Sequence, residues 1–260
     1  MPKPEQTKVN PRPTDREGLS KRDQLRAKRR REQQMRSIFI IAGISILVII
    51  VAVIIIQSSY HPSSGSTAPI STAIPFTRPQ PNGLSEGDPN APVKVVEFAD
   101  FQCPGCQQFY LYNEVSFVAT YVTTNKVYLT FSPDSFLDER PGATGRESKN
   151  AAEAAYCAGD QNKFWEYHDI LYTNQGANEN SGAFSDQRLK TFAVTAGLDT
   201  TKFNTCYDSH TYRQQVLNDE AKANQIGVAS TPSFTVNGKL VVGSDLLTTV
   251  DAALKSPSGN

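Results

Sequence analysis

The sequence predicts an α/β fold: a mixed β-sheet with a helical insertion, preceded by a single N-terminal transmembrane helix. Three observations predict it. A long apolar run separates a basic head from the remaining chain, short β-branched strands follow in the order strand–helix–strand, and a block of helices precedes a closing hairpin and helix. Because a βαβ half followed by a ββα half makes one mixed sheet, we interpret the helical block as an insertion.

The apolar run Ile38–Ile56 is 19 residues long and contains no charged residue and no proline. At about 1.5 Å per residue it spans a hydrocarbon core of roughly 30 Å. Residues 1–37 carry 12 Lys and Arg against 5 Asp and Glu, and the next charged residue after the run is Arg78. The positive-inside rule therefore predicts a cell-membrane protein with residues 1–37 in the cytoplasm and the following chain outside it.

A cleaved signal peptide and a nucleic-acid-binding arm are the alternatives for this N-terminal part. The positive region and the apolar run are both long for a signal peptide, and no small-x-small cleavage site follows closely. The basic residues directly precede the apolar run, which is typical of a disordered, membrane-adjacent tail. We therefore expect an uncleaved anchor and no nucleic-acid partner.

The chain after the apolar run divides into a linker and one folded domain. Residues 57–92 are rich in Ser, Thr and Pro and show no periodicity, which predicts an extended tether. We expect the folded domain at residues 93–254, its helical insertion at about 145–226, and a flexible tail at 255–260.

The elements of this domain follow from their residue types. Val93–Ala99 and Val127–Phe131 are short, apolar and β-branched, as in buried strands. Ser233–Val236 and Lys239–Val242 flank Asn237-Gly238, a strong hairpin signal. The predicted helices are 101–121, 148–158, 163–172, 185–196, a segment from 200 that contains Cys206, 212–226 and 245–254.

Cys103 and Cys106 enclose Pro-Gly directly after the first strand. Half a zinc site, a structural disulfide and a redox disulfide are the possible interpretations. Zinc would need further ligands at matching spacing, and the other two cysteines and the three histidines of the chain do not provide them. A structural disulfide across so short a loop would remove little chain entropy. The motif therefore predicts a redox disulfide that needs no metal and no cofactor.

The strand–turn–helix order would place Cys103 at a helix N-terminus, and Pro104 suits the first turn of that helix. Unpaired N–H groups and the helix dipole should lower the pKa of Cys103 below its ordinary value of about 8.5. Cys106 lies one turn further on, and we expect it to be buried with a high pKa. Cys103 would then be the sulfur that attacks a partner disulfide or is attacked by a partner thiolate. Cys106 would resolve the mixed disulfide that forms.

Residues 95–106, VVEFADFQCPGC, resemble the active-site region of the DsbA-like branch of the thioredoxin superfamily. Residues 227–234, GVASTPSF, resemble its cis-proline loop, and residues 151–158 with Phe164–His168 resemble its helical insertion. The resemblance covers about residues 85–254. It implies a thioredoxin-like fold and a membrane-anchored thiol:disulfide oxidoreductase of the bacterial type.

The resemblance also implies site residues. It places a cis peptide bond at Thr231–Pro232 beside the disulfide, with the Thr231 backbone free to pair with an extended substrate. From the residues alone, an ordinary trans proline before a strand would be expected. Pro232 thereby joins the catalytic residues, and Thr231, Pro104 and Gly105 form the substrate-binding surface. Many strong oxidants of the family have a histidine between the two cysteines, so Pro-Gly predicts a somewhat weaker oxidant.

Glu97 lies on the strand that precedes the motif, on the same face as Val93 and Val95. The family has an acid here that accepts the proton of the buried thiol. A solvated acid at the end of a strand is the alternative. A carboxylate on a sheet covered on both faces is unusual, which favours the functional interpretation.

Cys157 and Cys206 both lie in the predicted insertion, 49 residues apart. Two leftover thiols in an oxidising compartment usually pair, and we favour a structural disulfide. A second redox pair and two unpaired core thiols are the alternatives.

The function expected from the sequence is extracytoplasmic disulfide formation at Cys103 and Cys106. Reduced secreted or surface proteins would be the substrates, and the resemblance implies a membrane quinone-linked oxidase that reoxidises the pair. The alternatives are a reductase or isomerase of the same fold, for example in cytochrome maturation, and a non-catalytic peptide-binding chaperone.

Overall fold

The computed structural model describes residues 35, 40, 43–46, 49–51, 66–73, 75–141, 143 and 145–256. The chain divides into two units, Met1–His61 and Pro62–Asn260. The described residues of the first unit are helical. Within the described part of the chain, no helix is both long and apolar enough to cross a membrane. Most of the predicted basic tail, much of the predicted span and residues 257–260 lie outside the described residues.

The second unit contains a five-stranded mixed sheet with the strand order β1-β3-β2-β4-β5. Its strands are β1 (Ser85–Glu86), β2 (Val93–Ala99), β3 (Val127–Pro133), β4 (Ser233–Val236) and β5 (Lys239–Val242). β2 and β3 are parallel, and the other neighbouring pairs are antiparallel. The predicted mixed α/β sheet is confirmed.

Helix α1 follows β2 and changes its winding along its length. It is α-helical at Pro104–Phe109 and Val115–Phe117 and π-helical at Tyr110–Glu114 and Val118–Val122. The predicted single helix at 101–121 is thus present, but it begins after Cys103 and includes two π turns that no residue pattern indicated.

The helical insertion lies between β3 and β4 in the chain. Its helices are α2 (Glu147–Gly159), α3 (Phe164–Thr173), α4 (Asp186–Thr195), α5 (Thr200–Asp208) and α6 (Arg213–Ile226). Local signals set their ends: the Asp199 carboxylate accepts from the Thr201 and Lys202 N–H groups at the start of α5, and Gly227 ends α6 with a φ of 91°.

The hairpin of β4 and β5 turns at Asn237 and Gly238, whose φ angles are 48° and 81°. These residue types tolerate positive φ, as a two-residue hairpin turn requires. Helix α7 (Leu246–Lys255) closes the domain.

Alternation along β2 sends its side chains to both faces of the sheet. Val93 and Val95 enter the main hydrophobic core, and Glu97 shares their face. Phe98 points to the opposite face and packs against Ala223 of α6 and Val228. Because both faces are covered by helices, a carboxylate on β2 has no direct route to water.

The predicted extended tether at 57–92 differs from the structure in its second half. Residues 66–73 and 75–84, the leading segment, belong to the same unit as the sheet. Ile70 and Phe76 pack against the core, the Asn174 side chain exchanges hydrogen bonds with the Ser71 backbone, and the Arg188 Nη1 donates to the Ala68 carbonyl at 2.6 Å. The polar composition of this segment gave no sign that its few apolar residues pack against the core. Strand β1 has only two residues, too few to show a periodic pattern.

Candidate active site

Cys103 occupies the N-cap of helix α1. Its φ and ψ are −72° and 122°, Pro104 is in the first turn, and the Gln107 N–H donates to the Cys103 carbonyl at 3.1 Å. The residue is 8% exposed. The Cys103 sulfur therefore lies at the positive end of the helix, and Cys103 is the less buried of the two cysteines.

Local hydrogen bonds stabilise the Cys103 thiolate. A hydrogen bond from the Cys106 thiol is the largest cause that lowers the pKa of Cys103, to about 6, against the opposing effect of burial. The Gly105 and Cys106 N–H groups act in the same direction. In the protonated state the Cys103 thiol donates to the Thr231 carbonyl at 3.3 Å. Cys103 thus forms a thiolate near neutral pH.

Cys106 has the opposite environment. It is fully buried on the inner side of α1, and burial raises its pKa well above the ordinary value, with smaller contributions from Cys103 and Glu97. Both thiols are free in this structure. The pair therefore combines an acidic, accessible sulfur with a buried one that keeps its proton, which is the division of roles that dithiol exchange requires.

The peptide bond Thr231–Pro232 is cis and lies beside the dithiol. A Cβ atom added at Gly105 would lie 3.3 Å from the Pro232 Cδ and 3.7 Å from the Cys103 Sγ. Gly105 therefore permits close contact between the motif and the proline loop, while Pro104 is exposed above it. The structure thus brings the five predicted residues Cys103, Pro104, Gly105, Thr231 and Pro232 to one surface.

A groove with both polar and apolar walls begins at this surface and is lined by residues of helices α1 and α7, among them the polar residues Gln108, Asn113 and Ser116. Its volume is about 580 Å³. Residues that line it include Gly105, Phe109, Tyr112, Pro232, Leu246 and Leu247. A groove of this kind next to a reactive sulfur can hold the apolar side chains of an extended peptide.

Glu97 is 2% exposed, and Phe131 of β3 and Phe234 of β4 are its neighbours in the sheet. Burial is the main cause that raises its pKa well above the ordinary value, and Glu114 adds to this effect. Its Oε2 atom is buried without a hydrogen-bond partner. The structure therefore places the acid in the core, not at a solvated strand end, and its charge raises the pKa of Cys106.

Asp100 holds the loop between β2 and α1, a role that the sequence did not indicate. Its carboxylate accepts from the Gln102 N–H at 2.8 Å, the Ser148 hydroxyl at 2.7 Å and the Leu137 N–H at 3.1 Å. Burial raises the pKa of Asp100 to about 8 against these hydrogen bonds. The loop that carries Cys103 is thereby fixed to the insertion.

Gln175, after helix α3, fixes the same loop from the other side. Its Nε2 donates to the Phe101 carbonyl at 2.7 Å and to the Cys103 carbonyl at 3.0 Å. In return, the Gln107 side chain donates to the Tyr172 carbonyl at 2.8 Å. These contacts join residues more than 60 positions apart, so no local pattern could reveal them.

Cys157 and Cys206 form a disulfide, with Cα atoms 5.8 Å apart. It joins α2 to α5 within the insertion. Cys157 is buried in the core, and Cys206 is half-buried. The pair lies on other elements than the Cys103–Cys106 dithiol, as a structural crosslink would.

A pair of cysteines with one acidic thiol and one buried thiol can exchange a disulfide with a protein partner. On a mixed sheet of strand order β1-β3-β2-β4-β5, such a pair defines the class of thioredoxin-like thiol:disulfide oxidoreductases. Comparison with known proteins agrees. The family model described as thioredoxin matches residues 80–256. The probable disulfide bond formation protein D of Bacillus cereus is 31% identical over 159 residues, which are 60% of this chain and 70% of that protein.

A second relative, the Na(+)/H(+) antiporter NhaA 1 of Salinispora arenicola, is 33% identical over 170 residues, 65% of this chain. This chain spans only about a quarter of its length, 24%. Among solved structures, BdbD from Bacillus subtilis has a TM-score of 0.60 and 23% identity, and covers 72% of this chain and all (100%) of its own. DsbA of Chlamydia trachomatis has a TM-score of 0.58 and 21% identity, over 74% of this chain and 100% of its own. The chain belongs to the thioredoxin family and, by its relationship to the disulfide bond formation protein, to the thiol:disulfide oxidoreductases within it.

Proposed function

We propose that this protein is an extracytoplasmic oxidase that donates its Cys103–Cys106 disulfide to reduced secreted or surface proteins. The observation that carries the proposal is the stabilised Cys103 thiolate above a buried Cys106 thiol. A stabilised thiolate favours the reduced form of the pair, so the disulfide is the stronger oxidant.

The reaction has two exchange steps. A substrate thiolate attacks the Cys103 sulfur, the Cys103–Cys106 bond breaks, and its electron pair goes to the Cys106 sulfur, which takes a proton from Glu97. A second substrate thiolate then attacks the substrate sulfur of the mixed disulfide, and Cys103 leaves as a thiolate. The substrate loses two electrons and the pair gains them. A membrane quinone-linked oxidase would accept these electrons in the return reaction.

The substrate would bind as an extended segment across the site surface. The Thr231 backbone lies beside the Cys103 sulfur and can pair with a strand, and the groove between α1 and α7 can hold neighbouring side chains. This arrangement presents the substrate sulfur to Cys103, because Cys106 is enclosed behind it.

The proposed location follows from the sequence. The uncharged run of 19 residues at 38–56, with a strongly basic segment before it, fits a single-pass anchor with the catalytic domain outside the cytoplasm. The Cys157–Cys206 disulfide fits an oxidising compartment. Protease added to intact protoplasts should remove the domain and leave the basic tail protected, whereas a domain protected until lysis would contradict this location.

Trapping of the thiols in growing cells tests the direction of electron flow. Acid quenching followed by an alkylating agent should find Cys103 and Cys106 mostly as a disulfide. A mostly reduced pair would instead identify a reductase or isomerase. A Cys103→Ser variant with full function in cells would identify a peptide-binding chaperone.

A further inference from the structure

Arg78 of the leading segment lies beneath the sheet in a buried ionic cluster. Its Nη1 atom is 3.0 Å from the Glu86 carboxylate and 2.5 Å from that of Glu114, and its Nη2 atom contacts the Asp169 carboxylate. The Arg78 side chain is 7% exposed. The rings of Phe76 and Trp165 cover its guanidinium, with centroids 4.1 and 4.4 Å away.

The three carboxylates come from three different elements, β1, α1 and α3. Among the described residues, Arg78 is the only Lys or Arg within ion-pair distance of them; His168 additionally contacts Asp169 at 2.9 Å. Removal of one partner from a buried ion pair leaves an uncompensated charge, which is strongly unfavourable. The positive charge of Arg78 is therefore what allows these acids to be buried together.

The charges of the cluster act on the redox pair through Glu97. Burial is the main cause that raises the pKa of Glu97; Glu114 raises it further, whereas Arg78 lowers it. Glu97 in turn raises the pKa of Cys106. Several of these residues have a buried polar atom without a hydrogen-bond partner among the described residues: Arg78 Nε, Glu86 Oε2, Glu97 Oε2 and Glu114 Oε2.

The groups that act on Glu97 come from each element packed against it. The leading segment contributes Arg78 and β1 contributes Glu86. Helix α1 contributes Glu114. Glu97 in turn raises the pKa of Cys106 on α1 and that of the Tyr172 hydroxyl on α3. The sheet neighbours of Glu97 on β3 and β4 are phenylalanines. Arg78 is thus the only cation in this set of described residues.

We propose that Arg78 is a positioning residue of the redox centre. Its positive charge and its ion pairs with Glu86 and Glu114 keep Glu97 able to accept the Cys106 proton near neutral pH. The inference rests on the proposed function for the chemistry of the pair. In the step concerned, the Cys106 proton passes to the Glu97 carboxylate while the Cys106 sulfur attacks Cys103 in a mixed disulfide. The new S–S bond closes the pair, and the bound thiol leaves as a thiolate.

The test is the rate at which Cys106 resolves a glutathione mixed disulfide on Cys103 in the full-length protein. Reduced protein is mixed with oxidised glutathione, quenched with acid and followed by mass spectrometry from about pH 5 to pH 9. Without Arg78 the acid is harder to ionise, so Arg78→Gln should move the profile up by about one pH unit and slow the step about tenfold at neutral pH. Arg78→Lys, which keeps the charge, should restore most of the rate.

Arg188→Gln is the matched control. Arg188 is also buried and also anchors the leading segment, through the Ala68 carbonyl at 2.6 Å and the Ser66 carbonyl at 3.3 Å, but it has no contact with the acids of the cluster. The Arg188→Gln substitution should lower the melting temperature without moving the pH profile. A wild-type profile for Arg78→Gln, or an equal shift for Arg188→Gln, would overturn the proposal.

Glu114→Gln keeps the proposal testable if Arg78→Gln does not fold. This change removes a negative charge beside Glu97 and leaves an acceptor for Arg78, so the profile should move to lower pH. An unchanged profile or a shift to higher pH would overturn the proposal. These outcomes are separate from the proposed function: a pair found mostly reduced in cells would reverse the direction of electron flow but leave the shifts between variants unaltered.

Discussion

The two cysteine pairs of this protein show how position decides the chemistry of one residue type. Cys103 and Cys106 are separated by one turn at the N-terminus of α1, and the first is accessible. Cys157 and Cys206 are 49 positions apart and link two helices of the insertion. Closing the long loop removes much chain entropy from the unfolded state, whereas closing the short one removes little.

The surroundings of the two pairs differ as much as their spacing. The Cys106 thiol and the N–H groups of α1 stabilise the Cys103 thiolate, and the buried acid Glu97 raises the pKa of Cys106. The described contacts of the Cys157–Cys206 pair include no buried acid: Asp160, whose carboxylate lies 3.9 Å from the Cys206 sulfur, is exposed at the surface. The first pair is therefore built to open and close, and the second to remain closed.

The largest expected effect separates the pairs by activity. Cys103→Ser should abolish the oxidation of a reduced dithiol peptide, because no sulfur remains for the substrate to attack. Cys106→Ala should accumulate a mixed disulfide on Cys103, detectable by mass spectrometry. The double variant Cys157→Ser/Cys206→Ser should retain activity. A folded double variant without activity would show that the Cys157–Cys206 disulfide is needed for the reaction.

Stability should respond in the opposite way. Loss of the Cys157–Cys206 crosslink should lower the free energy of unfolding by about 4 kcal/mol on the chain-entropy account. Denaturant titration of Cys157→Ser/Cys206→Ser and of the wild type measures this loss of unfolding free energy. The Cys103–Cys106 pair is kept reduced in both proteins. If Cys103→Ser/Cys106→Ser lost as much unfolding free energy as Cys157→Ser/Cys206→Ser, the second disulfide would not be the specifically structural one.

Glu97→Gln should slow the proton-dependent resolving step of Cys106 by about 100-fold, because the acceptor for the buried proton is lost. The same mixed-disulfide assay measures it. Glu153→Gln is the control, since Glu153 is an equally buried acid that pairs with His210, Arg146 and Arg213 in the insertion. Equal slowing in both variants would exclude a specific role for Glu97.

Ionisation of Cys103 should make the stability of the reduced protein depend on pH. Its folded-state pKa of about 6 lies well below the ordinary thiol value. A depressed pKa contributes stability that is fully present above the unfolded value and is lost as pH falls through the folded value. The gap in unfolding free energy between oxidised and reduced protein should therefore change between about pH 6 and pH 9. A gap that is flat over this window would show that Cys103 is an ordinary thiol.

The smallest effect concerns Gly105. Gly105→His adds a hydrogen-bond donor near the Cys103 thiolate and should lower its pKa further, which makes the disulfide a stronger oxidant. Gly105→Ala is the control for crowding against Pro232, where an added Cβ would lie 3.3 Å from the Cδ. Absorbance of the thiolate measures both, and an identical pKa for the His and Ala variants would leave no role for the added donor.

Local signals in the sequence account for most of the fold and part of the site. The Asn237-Gly238 turn, the Gly227 stop and the β-branched strands predict elements that the structure contains. The Cys103–Cys106 spacing identifies the reactive pair, but the cis bond at Thr231–Pro232 was expected only from the family resemblance.

Long-range contacts could not be predicted in this way. Ser148 binds Asp100, and Gln175 binds the Cys103 carbonyl, only because the insertion folds onto the redox loop, so their roles depend on distances in space. Arg78 lies in a Ser/Thr/Pro-rich segment whose composition predicted a tether. A single charged residue there gives no pattern that distinguishes a solvated side chain from one that balances three buried acids.

The equilibrium of both pairs with glutathione shows whether one disulfide is redox-active and the other structural. Full-length protein is equilibrated at neutral pH with glutathione buffers of increasing reducing strength, and the thiols are alkylated and assigned by peptide mass. We expect Cys103–Cys106 to become reduced while the buffer is still mildly oxidising, and Cys157–Cys206 to stay closed throughout. Reduction of Cys157–Cys206 first, or of both pairs at the same buffer composition, would contradict the account.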